Sequence, residues 1–200
     1  MVNLAEIVRA QLRQSLELHS QLLDQQDLIA TLAEWGSLCA QSLQEGGTIF
    51  FAGNGGSFAD AQHMAAELTG KMGRPRKSLR GVVLGANNSS VSAIGNDFGF
   101  EQVFSRELEG LYSPSSLVVA FSTSGNSRNI TELAKMAKKV GAPMVCLTGD
   151  KKGTIGSYCQ TMSVPSSRTE RIQEMHTLLG HTLCLLIEEE LGLSDEPYDI

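Results

Sequence analysis

The feature that most constrains the fold is a series of short, uninterrupted apolar runs separated by stretches with a helical pattern. From Thr48 onward these runs are TIFFAG, GVVLG, SLVVAFS, PMVCLTG and TMSVPS. Runs of this length without polar alternation predict strands that are buried on both faces, and the intervening helices predict a parallel sheet with right-handed crossovers. We therefore expect a doubly wound α/β sandwich of about five strands, whose ligands bind at the carboxyl ends of the strands.

The part of the chain before the first strand, residues 3–45, has a helical pattern instead. Two apolar series follow one another there, and their members are Leu4, Val8, Leu12 and Leu16, then Leu28, Leu32, Trp35 and Leu38. This spacing predicts two long helices that precede the sheet. Such helices pack either on a second copy of the chain, which gives a homo-oligomer, or as a cap on their own sheet, and the pattern allows both.

The length of 200 residues suits one domain with an ordinary core. We expect a helical oligomerisation segment at residues 1–45, an α/β core at residues 46–193 and a loose tail at residues 194–200.

Composition excludes several classes of protein. The 16 basic and 22 acidic side chains give a net charge of −6, which argues against a nucleic-acid-binding surface. The N-terminus lacks a basic segment followed by an apolar one, and no stretch approaches the ~18 apolar residues of a membrane span. Four scattered cysteines without a CxxC pair suit reduced thiols. These features indicate a cytoplasmic protein that binds neither nucleic acid nor membrane.

The first strand ends in a glycine loop, GNGGS at residues 53–57, that leads directly into a helix. Glycines allow a tight turn, and the unpaired N–H groups of the helix favour an anion. A dinucleotide is disfavoured because the second strand closes with GAN at residues 85–87, where an acidic ribose partner is expected. The alternative is a purely structural turn in which Ser57 is the helix N-cap.

The third strand ends in a serine turn, STSGNS at residues 122–127, again before a helix. Four hydroxyl groups and a glycine within six residues offer the side-chain and backbone donors that a phosphate monoester requires. Helix capping alone would use one hydroxyl group. We therefore expect one small phosphorylated ligand that contacts both the serine turn and the glycine loop.

A third polar element lies between these two turns. Asn96 and Asp97 follow a short apolar helix in the sequence. An amide beside a carboxylate suits the hydroxyl groups of a sugar, but the same pair could be a helix C-cap. The sequence allows both interpretations equally.

Two helical segments carry possible acid, base or metal-binding side chains. His63 and Glu67 are four residues apart and share one helix face, although such a pair is often only a hydrogen-bonded pair. Gln173 and His181 lie about 80° apart around the last helix, whereas His176 points elsewhere and is expected to be structural or interfacial. Eight residues span about 12 Å, so one metal could reach both only if the helix began after Gln173 or if two subunits contributed.

Four segments together resemble the sugar isomerase (SIS) family, in particular its members that isomerise sedoheptulose 7-phosphate. They are FAGNGGSFADAQHMAAELTG, AIGNDFGFEQVFSREL, AFSTSGNSRNI and RIQEMH followed by His181, and the resemblance covers nearly the whole chain. It implies a flavodoxin-like SIS domain in a homotetramer with active sites at subunit interfaces. It also implies one zinc per subunit, at the positions His63, Glu67, Gln173 and His181.

The resemblance further implies which residues contact the substrate. The matching positions are Asn54, Gly55, Gly56, Asn96, Asp97, Ser122, Thr123, Ser124, Ser127 and Gln173, to which we add Ser57 from the glycine loop. Glu170 departs from the pattern, because some members have a shorter Asp there, and its role stays open.

The activity implied is conversion of sedoheptulose 7-phosphate to D-glycero-D-manno-heptose 7-phosphate through an enediol, the first step toward the ADP-heptose of lipopolysaccharide core. The family assigns the proton transfers to Glu67 and His181, side chains suited to this work. Zinc would polarise the carbonyl group or orient the sugar. A zinc-bound carboxylate is a weakened base, so either Glu67 leaves the metal or the metal is not directly catalytic.

Two other functions are compatible with the same resemblance. Some tetrameric SIS proteins have become binding proteins that dock on the replication initiator DnaA, and they share the RIQEMH segment. The complete set of His63, Glu67, Gln173 and His181 favours the enzyme. An isomerase of another ketose phosphate is the third possibility.

Overall fold

A computed structural model describes residues 2–73 and 75–193, so the expected tail at residues 194–200 lies outside the described part. Its sheet has five parallel strands, and these are β1 (Ile49–Ala52), β2 (Gly81–Val83), β3 (Leu117–Ser122), β4 (Met144–Thr148) and β5 (Gln160–Ser163). Their order is β2-β1-β3-β4-β5. This order confirms the predicted doubly wound, flavodoxin-like α/β fold.

The three inner strands are buried along their whole length, which explains why the apolar runs in the sequence show no alternation. Successive side chains point to opposite faces of the sheet. Phe51 and Val119 pack on one face, and Phe50 and Val118 pack on the other. The edge strands β2 and β5 are partly exposed.

Seven helices surround the sheet in the described residues. They are α1 (Leu4–Leu23), α2 (Gln26–Gln44), α3 (Gly56–Thr69), α4 (Asn88–Phe98), α5 (Val103–Leu111), α6 (Arg128–Val140) and α7 (Thr169–Glu190), with short 3-10 turns at Phe100–Gln102 and Thr154–Ser157. The sequence analysis did not predict α5. Its nine residues include too few turns to give a clear helical period.

The two leading helices differ in what they cover. α2 lies on the chain's own sheet, with Leu32 and Trp35 buried and Trp35 Nε1 donating to Gln160 Oε1 in β5 at 2.9 Å. On α1 only Leu18 and Leu22 are buried. The apolar row predicted for α1 is exposed, and its members are Leu4, Val8, Leu12 and Leu16. One leading helix is therefore a cap, and the other presents an uncovered apolar face.

Strand register brings the polar turns to one edge of the sheet. Ala52 at the end of β1 pairs with Ala120 in β3, and Ser122 at the end of β3 pairs with Thr148 at the end of β4. The loops that follow β1 and β3 therefore emerge side by side, as expected for parallel strands.

Two further sequence expectations can be compared with the fold. The four cysteines are free thiols, and burial raises the pKa of Cys184 to about 12 and the pKa of Cys146 well above its usual value. Both act as small buried hydrophobic side chains. Among the helices of the described ranges, none combines the length and the apolar character needed to cross a bilayer.

Candidate active site

The glycine loop turns the chain from β1 into α3. Gly55 has a φ of +55° and occupies the N-cap of α3, and Gly56 is the first residue of the helix. A side chain on Gly56 would overlap the amide of Gln173 in α7, so a larger residue there would displace that flexible side chain. Ser57 lies buried inside the first turn. The interpretation of Ser57 as the N-cap is therefore wrong.

The serine turn gathers its hydroxyl groups at the start of α6. Ser122 Oγ donates to Ser127 Oγ at 3.3 Å, and Ser124 Oγ accepts from the Asn126 N–H at 3.1 Å. Ser127 occupies the N-cap of α6, but its side chain makes no capping bond there. Capping therefore does not account for these hydroxyl groups. They lie where backbone N–H groups of a helix N-terminus favour an anion.

Side-chain amides join the two turns. Asn54 Nδ2 donates to Asn129 Oδ1 at 2.9 Å, and Asn129 Nδ2 donates to Asn54 Oδ1 at 2.8 Å. Asn129 belongs to the first turn of α6 and is 4% exposed. The sequence analysis did not single it out, since residues 75 positions apart give no local pattern.

Asn96 and Asp97 lie in the last turn of α4, so the expectation that they follow the helix is wrong. Gly99, with a φ of +92°, ends that helix. Asn96 Nδ2 donates to Asp97 Oδ1 at 2.7 Å, and both residues are exposed.

A cavity of about 240 Å³ borders the glycine loop, and its lining residues are Gly53, Asn54, Gly55, Phe58, Gly85, Asn88, Val91, Phe100, Val103 and Phe104. Asn96 and Asp97 are not among them.

His63, Glu67 and His181 form a histidine cluster between α3 and α7. His63 Nε2 lies 2.9 Å from Glu67 Oε1 and 3.3 Å from His181 Nε2, and the two imidazole rings meet edge to face at 84°. Two nitrogens bound tetrahedrally to zinc at ~2.0–2.1 Å are themselves about 3.3 Å apart. The potential ligand atoms of the three residues lie within 4.8 Å of one another. The residues therefore fit a zinc ion.

Gln173 lies apart from the histidine cluster. α7 contains both Gln173 and His181, so the alternative in which the helix begins after Gln173 is wrong. The Gln173 amide packs against Gly56, and His63 follows seven residues later, about 10 Å along the axis of α3. Within one chain, the Gln173 side chain therefore lies against the glycine loop and not in the histidine cluster.

Asp60 is a further acidic residue between these two groups, and the sequence analysis missed it. Thr177 Oγ1 donates to Asp60 Oδ1 at 2.7 Å, while Asp60 Oδ2 is buried without a hydrogen-bond partner. Burial raises the pKa of Asp60, against the opposing effects of Thr177, His63 and His181. Its position three residues before His63 puts it on the same helix face, which was the available signal.

A buried ion pair closes the far end of α3 against α7. Arg76 Nε donates to Glu188 Oε1 at 2.6 Å, and the two side chains are 4% and 6% exposed. Arg76 also donates to the carbonyl oxygens of Glu67 at 2.7 Å and Leu68 at 2.9 Å. These carbonyls lie in the last turn of α3, where helix partners are missing. Arg76 therefore holds the backbone that carries Glu67.

Two other polar residues of α7, His176 and Glu170, make their contacts away from the cluster. His176 is fully buried, its Nε2 lies 3.2 Å from the Thr148 carbonyl oxygen, and burial lowers its pKa to about 4. It is a neutral, structural histidine that points away from the cluster, as the sequence analysis predicts. Glu170 pairs with Arg168 at 2.5 Å on the surface. A bond from its own backbone N–H, followed by Arg168, lowers the pKa of Glu170.

Known proteins resemble this chain in both sequence and fold. The SIS domain family matches residues 12–149. A phosphoheptose isomerase of Campylobacter jejuni is 44% identical over 173 residues, which are 86% of this chain and 93% of that protein. A phosphoheptose isomerase of Sulfurimonas denitrificans is 40% identical over 185 residues, which are 92% of this chain and 95% of that protein. The structure of phosphoheptose isomerase GmhA from Neisseria gonorrhoeae has a TM-score of 0.87 and 37% identity, and the match covers 94% of this chain and 100% of that one.

Proposed function

This chain belongs to the SIS domain family, and from that membership and its likeness to phosphoheptose isomerases we infer that it isomerises sedoheptulose 7-phosphate. The reaction is an aldose–ketose interconversion whose product is D-glycero-D-manno-heptose 7-phosphate. The substrate is a sugar phosphate, and the product is a precursor of the ADP-heptose in lipopolysaccharide core. The observation that carries the chemistry is the convergence of Glu67 and His181 from two helices.

The binding groups divide between the two ends of the sugar. The serine turn holds the phosphate through its hydroxyl groups and the N-terminus of α6, and the residues assigned to it are Ser122, Thr123, Ser124 and Ser127. The glycine loop and the adjacent α7 hold the sugar hydroxyl groups, and the residues assigned there are Asn54, Gly55, Gly56, Ser57 and Gln173. The position of the Gln173 amide against Gly56 supports its place in this group.

Glu67 and His181 move the protons. Glu67 Oε1 takes the proton from C1 of the ketose, and the electron pair forms the C1–C2 double bond of the enediol. His181 Nε2 gives a proton to the C2 carbonyl oxygen, and Glu67 then returns its proton to C2 as the O1 proton leaves to His181. The 4.0 Å between Glu67 Oε1 and His181 Nε2 lets the two groups reach neighbouring atoms of the substrate from the same side.

The histidine cluster is the zinc site that we propose, one ion per subunit. His63, Glu67 and His181 would hold the ion from one chain, and a Gln173 ligand would come from a second copy, since the Gln173 amide lies against Gly56, about 10 Å along the axis of α3 from His63. Zinc bound there supplies Lewis-acid polarisation of the sugar carbonyl. An atom that binds the metal cannot carry a proton at the same time, so Glu67 Oε1 and His181 Nε2 must both be free of the metal during the proton transfers.

A homotetramer with active sites at its interfaces completes the proposal. The exposed apolar row on α1 is the supporting observation, with Leu4 at 73%, Leu12 at 66% and Leu16 at 68% exposure, because a continuous uncovered apolar face marks an association surface. Asn96 and Asp97, which are exposed in this chain, would then contact the sugar bound by a neighbouring subunit. Native mass spectrometry gives the number of chains directly.

The remaining proposals follow from the activity. A cytoplasmic location suits a phosphorylated substrate, and cell fractionation tests it. The histidine cluster favours an enzyme over a protein that only binds DnaA, because such a binding protein has no use for a converging carboxylate and two imidazoles.

The deciding experiment measures formation of the aldose from sedoheptulose 7-phosphate by NMR, with zinc supplied and with zinc removed by a chelator. Wild type should turn over this sugar faster than fructose 6-phosphate, and His181→Ala should be nearly inactive. Faster turnover of fructose 6-phosphate would reassign the substrate. No turnover of either sugar by wild type would reject the enzyme.

A further inference from the structure

The side chain of Asn129 forms hydrogen bonds with one residue of the proposed substrate site, Asn54. The two side-chain amides exchange hydrogen bonds of 2.9 and 2.8 Å, so each amide donates one N–H to the oxygen of the other and accepts one N–H in return. Each Asn amide has two N–H groups. Asn54 therefore keeps one N–H that faces away from the pair, at the rim of the glycine loop.

The direction of this pair is fixed by the backbone of α6. Asn129 Oδ1 also accepts the Ile130 N–H at 3.0 Å. Rotating the Asn129 amide by half a turn would set its NH₂ group against that N–H, and two buried donors facing each other would both lose their partner. Asn129 is 4% exposed, and Ile130 is fully buried, so water cannot relieve the mismatch. Asn129 therefore keeps one orientation.

Asn54 must match that orientation to keep both bonds. If its amide were flipped, its oxygen would face Asn129 Oδ1, and its nitrogen would face Asn129 Nδ2. A half-exposed asparagine on a loop has no such restriction when it stands alone. The Ile130 N–H therefore fixes the orientation of the Asn129 amide, and Asn129 in turn fixes the orientation of the Asn54 amide.

We propose that Asn129 is a positioning residue for substrate binding, because it fixes where the Asn54 amide presents its free N–H and its oxygen to the ligand. This inference rests on the proposed function, in which Asn54 contacts the sugar phosphate. The same pair ties the glycine loop to α6, and α6 carries the serine turn. The groups that bind the two ends of the sugar are thus held at a constant separation before the ligand binds.

A double-mutant cycle with Asn54→Ala and Asn129→Ala tests the proposal, with kcat and KM measured on sedoheptulose 7-phosphate. Asn129→Ala should raise KM about 10-fold and change kcat less than about 2-fold, since one prearranged hydrogen bond is lost. The double variant should have the KM of Asn54→Ala alone, because Asn129 acts only through Asn54. Additive effects on KM, or a fall in kcat at constant KM, would overturn the inference.

Asn129→Ser is the control for a folding defect in Asn129→Ala. Its hydroxyl group can still accept the Ile130 N–H, so α6 keeps its partner, but serine is too short to hold Asn54. This variant should unfold at the same denaturant concentration as wild type and still show the raised KM. An unchanged KM in folded Asn129→Ser would contradict the proposal.

Asn126→Ala is the matched control from the same turn. Its Oδ1 accepts bonds from Thr154 N–H and Thr154 Oγ1, both at 2.9 Å, whereas the Asn54 amide bonds to Asn129. Its effect on KM should add to that of Asn54→Ala, in contrast to Asn129→Ala. Wild type that fails to turn over the sugar rejects the proposed function itself, whereas an active wild type with an additive Asn54–Asn129 cycle rejects only this inference.

Discussion

The serine turn and the histidine cluster are built in opposite ways. The serine turn is fixed by backbone contacts with neighbouring segments, in which Gly149 N–H donates to the Thr123 carbonyl and Ile155 N–H donates to the Gly125 carbonyl, both at 3.0 Å. The histidine cluster consists of side chains that project from two helices, and the His63 and His181 side chains are 47% and 38% exposed. These backbone bonds of the turn all lie within one chain, whereas the side chains of the cluster are partly exposed.

From this difference we propose different tasks for the two regions. A rigid, prearranged turn binds the part of the ligand that does not react, because its donors are already ordered before binding. An open cluster leaves space for a metal, a reacting carbon or a residue of a second copy. Changes in the turn should therefore act on KM, and changes in the cluster should act on kcat.

Glu67→Gln should have the largest effect. It keeps the shape of the side chain but removes the base, so kcat should fall about 10³-fold while KM changes little. Initial rates of aldose formation by NMR give both constants. Glu132→Gln, on the exposed face of α6 beside Lys135, is the control and should be fully active. A Glu67→Gln enzyme with wild-type kcat would place the chemistry elsewhere.

Arg76→Met should come next, through stability. It leaves the Glu188 carboxylate buried without its partner and removes the donors from the end of α3, so the free energy of unfolding should fall by about 3–5 kcal/mol. Denaturant titration measures this loss. Replacing both partners, as Arg76→Met with Glu188→Leu, should restore most of it. Arg9→Met breaks an exposed pair with Glu6 and should have almost no effect.

Arg76→Met also tests whether the two regions act independently. The loss of Arg76 should weaken zinc binding by the histidine cluster, because Arg76 holds the backbone of Glu67, but should leave inhibition by inorganic phosphate at the serine turn unchanged. Equal losses of zinc and phosphate affinity would mean that the two regions are not independent.

How much of each region could be predicted depends on the distance between its residues in the sequence. The serine turn is six consecutive residues, and its place after a buried strand predicted its position at the edge of the sheet, whereas its phosphate ligand stays a prediction. His63 and Glu67 were visible as a helix pair, but the approach of His181 came only from family resemblance. Its 3.3 Å contact with His63 Nε2 depends on how α3 packs on α7, which no local spacing encodes. Asn129 and Arg76 were missed for the same reason.

His176 gives the stability of the folded chain a pH dependence. Its pKa is lowered from 6.5 to about 4 by burial, so the unfolded chain binds a proton more readily than the folded one as the pH falls below about 6.5. Stability is fully present above that pH and should decrease by an amount on the order of 3 kcal/mol as the pH falls toward 4.

Denaturant titrations between pH 7 and pH 4.5 measure this decrease. His176→Gln, whose side-chain N–H can still reach the Thr148 carbonyl, should lose less stability over the same range, because it does not titrate. Parallel curves for the variant and wild type would show that His176 does not control the slope.

Ser127→Ala should have the smallest effect and tests the comparison most directly. It removes one hydroxyl group from the phosphate but leaves the backbone of the serine turn intact, so KM should rise about 10-fold with kcat unchanged. Inhibition by inorganic phosphate should weaken by the same factor, since the lost contact is to phosphate alone. Ser78→Ala, at an exposed position before β2, is the matched control. A fall in kcat without a change in KM would mean that the serine turn acts on the reacting carbons, and the division of tasks between the two regions would fail.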